Sequence, residues 1–132
     1  MGGFVKKLLI AEDEPGIRRL IRMTLESEEY EIIEASDGEE ALTLARGEHP
    51  ELLLLDVMMP RRSGLEVCRL LKADDDTAGM TIVMLTARAQ ESDLREARAA
   101  GCDDYFMKPF SPVALLRKVD EIFAARSRAT ES

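Results

Sequence analysis

Short apolar runs alternate along this chain with longer segments of helical periodicity. The apolar runs are rich in leucine, isoleucine and valine, and they predict five strands at residues 5–11, 30–35, 51–56, 81–86 and 103–107. Their first residues lie 21 to 30 positions apart, which leaves room for one helix after each strand. The pattern therefore predicts an α/β protein with a mostly parallel sheet.

Two of these runs also indicate where their strands lie in the sheet. Residues 52–55 are four consecutive leucines, which is typical of a strand that helices cover on both faces. Residues 30–35 include two glutamates, and this strand is expected at an edge of the sheet.

The intervening segments carry signals for helix starts and buried faces. Pro15 fits the first turn of the first helix, and capping boxes are expected to start at Ser36 and Ser63. Two stripes are expected to be buried: Ile17, Leu20, Ile21, Thr24 and Leu25 in the first helix, and Val113, Leu116, Val119, Ile122 and Phe123 in the last. The helix near residues 91–100 has few apolar side chains and is expected to shift easily.

Composition narrows the classes of function. The 132 residues fit one domain, with a core at about 5–125 and a short tail. The net charge of −8 argues against direct binding of nucleic acid, and the longest uncharged run, 11 residues, is too short to span a membrane. Cys68 and Cys102 fit neither a disulfide framework nor a metal site, and no signal peptide opens the chain. We therefore expect a cytoplasmic protein.

Polar side chains are expected to meet where the strands end. In an open parallel sheet, the functional crevice lies at the carboxyl ends of the strands. The polar residues at these ends are Glu12, Asp13, Asp56, Thr86 and Lys108. Carboxylates follow the first strand in place of a glycine-rich turn, and this excludes a dinucleotide-binding site.

The residue types at this edge favour a cation and a phosphoryl group. Two carboxylates about 4 Å apart repel by roughly 4 kcal/mol at an effective dielectric near 20, so such a cluster needs a cation or a proton. Oxygen ligands with open positions suit Mg²⁺. Asp56 follows four leucines and is the candidate nucleophile for an aspartyl phosphate. Lys108 would stabilise charge on the transferred group.

The same residues resemble the receiver domains of two-component response regulators, and the chain is similar in size to the single-domain chemotaxis regulator. Asp13, Asp56, Thr86 and Lys108 follow one another at intervals of 43, 30 and 22 residues. The segments LLLLDVMMP (52–60) and GCDDYFMKPF (101–110) carry most of the resemblance, which covers about residues 5–125. It implies a doubly wound, five-stranded parallel sheet in the order 2-1-3-4-5 flanked by five helices, the flavodoxin-like or CheY-like fold.

The resemblance implies a chemical role for each acid. Asp56 would accept a phosphoryl group from the phosphohistidine of a histidine kinase or phosphotransfer protein. Asp13 and Asp56 would bind Mg²⁺, with Glu12 acting through water and the Met58 carbonyl as a further ligand. Bulky Met58 and long Arg88 are also expected to hinder the attacking water, which would slow the loss of the phosphoryl group.

The resemblance further implies a switch. Thr86 would hydrogen-bond the phosphoryl group, and Lys108, joined to Pro109 by a cis peptide, would pair with it. Tyr105 would turn inward as Thr86 moves, which would change the surface formed by the fourth helix, fifth strand and fifth helix. That surface allows a homodimer. The downstream effector protein or domain is not identified by the sequence.

Two other functions stay open at this point. A scaffold-type receiver that is never phosphorylated would share the fold. The presence of the acidic pair Glu12 and Asp13, together with Asp56, Thr86 and Lys108, argues against it. A Mg²⁺-dependent phosphohydrolase with an aspartyl nucleophile commonly has a second acid two residues after the nucleophile, where this chain has Met58. We therefore expect a protein that catalyses only its own phosphorylation and dephosphorylation, and no turnover enzyme.

Overall fold

Strands and helices alternate throughout the chain in a computed structural model, which describes residues 5–87 and 90–131. In chain order they are β1 (Lys6–Ala11), α1 (Pro15–Leu25), β2 (Tyr30–Ala35), α2 (Gly38–Glu48), β3 (Leu52–Asp56), α3 (Gly64–Ala73), β4 (Thr81–Thr86), α4 (Glu91–Ala99), β5 (Asp104–Met107) and α5 (Pro112–Glu131). The five strands start and end within one residue of their expected bounds. Of the helices in the described ranges, none has the length and apolar content to cross a membrane.

The strands form one parallel sheet in the order β2-β1-β3-β4-β5. This order confirms the fold that the resemblance implies, and β2 lies at an edge as its glutamates indicate. Following the chain, β2 lies on one side of β1, whereas β3, β4 and β5 lie on the other side, so the strand order reverses between β1 and β3. The carboxyl ends of these two strands are therefore the expected place for a ligand.

Helices cover both faces of the sheet. Because side chains alternate along a strand, Leu9 and Leu53 pack toward α2, α3 and α4, whereas Leu8 and Leu52 pack toward α1 and α5. All four leucines of β3 are fully buried, and each contributes roughly 1.5–3 kcal/mol through its burial. The two helical layers hold the end of β3 firmly in place.

Two of the expected helix faces are partly wrong. Leu20 of α1 is exposed, and so are Val113 and Leu116 of α5. In α5 the buried stripe begins instead at Leu115 and continues through Val119 and Phe123. Adjacent apolar residues at the start of α5 create two overlapping stripes, and packing against the sheet selects one of them.

The helix caps agree with expectation in one case and differ in another. Ser63 caps α3 by accepting a hydrogen bond from the Glu66 N–H at 3.2 Å. The cap of α2 is Asp37 and not Ser36, because the Asp37 carboxylate accepts from the Glu40 N–H at 2.8 Å. Ser36 and Asp37 are both good caps with a glutamate three residues later, so the sequence alone did not distinguish them.

Helix α4 is lightly packed, as its composition indicates. Among its residues only Ala97 is buried. Gly101, with a φ of 96°, turns the chain after this helix toward β5. Little apolar surface opposes a displacement of α4.

Candidate functional site

Four strands bring polar side chains to one edge of the sheet. Glu12 follows β1, Asp56 ends β3, Thr86 ends β4 and Lys108 follows β5. The strands pair in register at these ends, so the four positions are neighbours. The structure thus brings together the residues that the sequence assigns to one site.

Glu12, Asp13 and Asp56 form an acidic cluster at this edge. One carboxylate oxygen of each lies within 4.8 Å of the others. Glu12 is fully buried, Asp56 is buried and Asp13 is partly exposed. Each pair of negative charges at that separation repels by roughly 3 kcal/mol at an effective dielectric near 20. An all-oxygen donor set with open positions fits Mg²⁺.

Lys108 supplies a compensating charge. Its Nζ donates a hydrogen bond to Glu12 Oε1 at 2.5 Å and lies 3.4 Å from Asp56 Oδ1. Burial disfavours the ammonium, but its hydrogen bond to Glu12 and the charges of both acids outweigh burial and raise the pKa of Lys108. The Lys108 N–H donates to the Thr86 carbonyl at 2.7 Å, and the Lys108–Pro109 peptide is cis.

The surroundings of the Asp56 carboxyl raise its pKa. Burial raises its pKa to about 7, and the charge of Glu12 adds to this effect. Lys108 and a hydrogen bond from the Met58 N–H, at 3.3 Å from Asp56 Oδ1, act in the opposite direction. Carboxylates with such shifted pKa values are typical of functional sites.

The loop between β3 and α3 turns back tightly against Asp56. The Gly64 N–H donates to the Val57 carbonyl at 2.9 Å. A Cβ at position 64 would lie 2.2 Å from the Asp56 carbonyl oxygen, so the turn requires glycine. The Met58 side chain in this loop is exposed. Arg88, the other residue expected to hinder water, lies outside the described residues.

Arg18 of α1 is a site residue that the sequence analysis missed. Its guanidinium donates to the Glu12 carbonyl at 2.8 Å and to Glu34 Oε1 of β2 at 3.1 Å. Arg22 also binds Glu34, at 2.6 Å. Arg18 therefore ties the loop that carries Glu12 and Asp13 to the edge strand. The available signal was the charge of Glu34 within a strand, but nothing local identified its partner.

Thr86 and Tyr105, the expected switch pair, line one cavity of about 190 Å³. Leu94 and Ala97 of α4 also line this cavity. Thr86 is buried, and Tyr105 is partly exposed in β5. The cavity is therefore bordered by the end of β4, by β5 and by α4.

Residues 8–120 match the family described as the response regulator receiver domain. The alkaline phosphatase synthesis transcriptional regulatory protein PhoP of Bacillus subtilis (strain 168) is 42% identical over 127 residues, which cover 96% of this chain and 52% of PhoP. The chain spans about half the length of the curated relatives it matches.

Solved structures share the fold closely. A response regulator receiver domain protein (CheY-like) from Methanospirillum hungatei JF-1 has a TM-score of 0.86 and 31% identity, and the match covers 96% of this chain and 99% of that one. The chemotaxis response regulator CheY4 of Vibrio cholerae has a TM-score of 0.84 and 29% identity, with 90% and 99% covered. The matched residues, the strand order and the fold together show that this chain belongs to the response regulator receiver domain family.

Proposed function

We propose that this receiver domain accepts a phosphoryl group on Asp56 from the phosphohistidine of a histidine kinase or phosphotransfer protein. The observation that carries the proposal is the position of Asp56 at the end of a fully buried strand, within 4.8 Å of two other acids and 3.4 Å from Lys108. A carboxylate so placed is fixed in position, lies beside two acids that could share a cation with it, and has a lysine nearby that offsets negative charge.

The transfer exchanges one phosphorus bond for another. An Asp56 carboxylate oxygen attacks the phosphorus atom, an O–P bond forms as the N–P bond of the phosphohistidine breaks, and the released imidazole nitrogen keeps the electron pair of the broken bond. Lys108 and Thr86 are proposed to contact the phosphoryl oxygens, with Lys108 stabilising their charge and Thr86 donating a hydrogen bond.

Mg²⁺ is the proposed cofactor. Asp13 and Asp56 would hold it directly, Glu12 through water, and the main-chain carbonyl of Met58 would complete the protein ligands. When bound, the ion neutralises the acids so that an anionic phosphoryl donor can approach. The three carboxylates at the strand ends support this assignment because they lie close enough to share one cation.

The proposed output is a change at the surface formed by α4, β5 and α5. Thr86, drawn toward the phosphoryl group, would leave space in the shared cavity, and Tyr105 would turn into it. Light packing of α4 supports this mechanism, since its displacement exposes little apolar surface. Phosphorylation would thus favour one of two arrangements of the surface.

The proposal also covers the setting of the domain. We propose that residues 1–132 contain a single receiver domain that acts on an effector protein or domain, with no direct contact to nucleic acid. It would catalyse only its own phosphorylation and dephosphorylation. The free thiols of Cys68 and Cys102 support a cytoplasmic location.

The direct test is intact-mass spectrometry after incubation with acetyl phosphate, with and without Mg²⁺. We expect one labile phosphate adduct on the wild-type protein only when Mg²⁺ is present. Asp56→Asn should give no adduct. The matched control is Asp75→Asn, because Asp75 is an exposed aspartate in the loop between α3 and β4. This variant should be labelled like the wild type.

Two results would contradict the proposal. A folded wild-type protein that gains no adduct would indicate a scaffold-type receiver. Steady release of phosphate from a phosphomonoester over many turnovers would indicate a phosphohydrolase.

A further inference from the structure

The outer face of α5 carries a shallow groove that no part of the described chain covers. The groove has a volume of about 410 Å³. It is lined by a stripe of six residues on α5, the α5 stripe: Val113, Leu116, Arg117, Asp120, Glu121 and Ala124. Val113 is 65% exposed and Leu116 is 37% exposed. Together with Ala124 they give this face of α5 a small apolar component among its charged side chains.

Arg117 lies at the centre of this stripe without an internal partner. Among the described residues it makes no ion pair or hydrogen bond, although Asp120 and Glu121 follow it at helical spacing. By contrast, Lys118 on the neighbouring side of α5 pairs with Asp104 of β5 at 2.8 Å. The Asp120 carboxylate accepts one hydrogen bond, from the Tyr30 hydroxyl at 2.7 Å, and can accept more.

The stripe is complementary to itself. When two copies of α5 pack antiparallel about a two-fold axis at the midpoint between residues 118 and 119, Arg117 of each copy faces Asp120 of the other. Val113 then faces Ala124, and Leu116 lies against the methylene groups of Glu121. A two-fold contact repeats each of these pairs, so every attraction occurs twice.

We propose that the α5 stripe is a contact between two copies of this chain. The contact involves no residue of α4 or β5, which distinguishes it from a dimer through the α4-β5-α5 surface. The stripe spans 12 residues, and its first and last Cα atoms lie about 16 Å apart along the helix axis. The contact is therefore small and the association is weak, with a dissociation constant of roughly 0.1–1 mM. It does not depend on the proposed phosphorylation, because the stripe includes none of the acidic cluster.

Sedimentation equilibrium of the whole chain, without phosphoryl donor, tests the contact. We expect reversible dimerisation as the concentration rises toward about 1 mM. Arg117→Asp places two acids opposite each other, and Asp120→Arg places two arginines opposite each other. Each variant alone should weaken the dimer by about tenfold or more, because attraction is replaced by repulsion at two symmetric positions. The double variant should restore association.

A mixture of the two single variants tests the antiparallel pairing more directly than either variant alone. An equimolar mixture of Arg117→Asp and Asp120→Arg should form heterodimers, because acids on one copy then face arginines on the other at both positions. Tyr30→Phe removes the same internal hydrogen bond as Asp120→Arg but leaves the stripe charges unchanged, so it should dimerise like the wild type. Arg69→Asp, at an exposed site on α3, changes the net charge by the same amount as Arg117→Asp and is the control for that change.

Several outcomes would overturn the proposal. The wild type could stay monomeric throughout the concentration range, which would leave the stripe for a different partner protein. Arg117→Asp could dimerise as well as the wild type, which would place the contact elsewhere. A mixture of the two single variants that stays monomeric, although each is folded by circular dichroism, would exclude the antiparallel pairing.

Discussion

The ammonium of Lys108 lies closer to Glu12, at 2.5 Å, than to the proposed phosphoacceptor Asp56, at 3.4 Å. Glu12 is fully buried, so this ion pair is the main compensation for its charge. Lys108 therefore occupies the position of a cation beside the acids that are proposed to hold Mg²⁺. The lysine and the proposed Mg²⁺ would therefore compete for the same negative charge.

This competition predicts the effect of Lys108→Met on metal affinity. Removal of the ammonium leaves the acids uncompensated, so Mg²⁺ should bind about tenfold more tightly in isothermal titration calorimetry, since a nearby charge is worth on the order of 1 kcal/mol or more at this site. Lys118→Met, which removes a lysine paired with Asp104 outside the acidic cluster, should leave the affinity unchanged. Weaker binding by Lys108→Met would show that the lysine supports the metal site.

The pKa of Asp56 predicts how stability depends on pH. Between about pH 4 and pH 7 the native protein keeps a proton on Asp56 that the unfolded chain has released, so the free energy of unfolding falls as the pH rises through this window. Asp56→Asn removes this dependence. Without Mg²⁺ its melting temperature should therefore exceed that of the wild type by more at pH 8 than at pH 5. The corresponding change in the free energy of unfolding has an upper limit of about 4 kcal/mol.

The control for this pH profile is Asp75→Asn, which should follow the wild type at both pH values. Addition of Mg²⁺ at pH 8 should raise the melting temperature of the wild type more than that of Asp56→Asn. Equal pH profiles for the wild type and Asp56→Asn would mean that the Asp56 carboxyl ionises as it does in the unfolded chain.

The close approach of Gly64 to Asp56 predicts a cost for a single methyl group. In Gly64→Ala the Cβ would lie 2.2 Å from the Asp56 carbonyl oxygen, so the main chain must move. We expect a loss of about 1–3 kcal/mol in urea unfolding and slower labelling by acetyl phosphate. Gly47→Ala is the matched control, because nothing lies within 4 Å of a Cβ there and α2 should gain stability. Equal losses for the two variants would refute this explanation.

The cavity shared by Thr86 and Tyr105 predicts a variant that separates phosphorylation from switching. Thr86→Ala should still be labelled by acetyl phosphate but should lose the change in the Tyr105 ring signals on phosphorylation, measured by NMR. Thr86→Ser, which keeps the hydroxyl, should retain that change. Tyr30 is the only other tyrosine and serves as an internal reference. A full change at Tyr105 in Thr86→Ala would show that the hydroxyl is not needed.

Much of the fold could be predicted because its signals are local. The four leucines of β3 identify a buried strand without reference to any other segment, and Asp56 is the first polar residue after them. The spacing of Asp13, Thr86 and Lys108 along the chain then places each of them at the end of a strand. The alternation of strand and helix constrains these positions strongly.

The details that escaped prediction depend on choices between near equivalents or on distant partners. At the start of α5 the adjacent residues Leu115 and Leu116 are equally apolar, and only the fit to the sheet decides that Leu115 is buried. Arg18 binds Glu34 across 16 positions of sequence, and many glutamates could have been its partner. Local patterns contain no information on such pairings.

The sparse packing of α4 has a consequence for how this domain can diverge. Because only Ala97 of this helix is buried, most of its side chains can be exchanged with little effect on the free energy of unfolding. The leucines of β3 have no such freedom, since any change there creates a void or a clash. Recognition of new partners can therefore evolve on α4 while the chemistry at the strand ends stays constant.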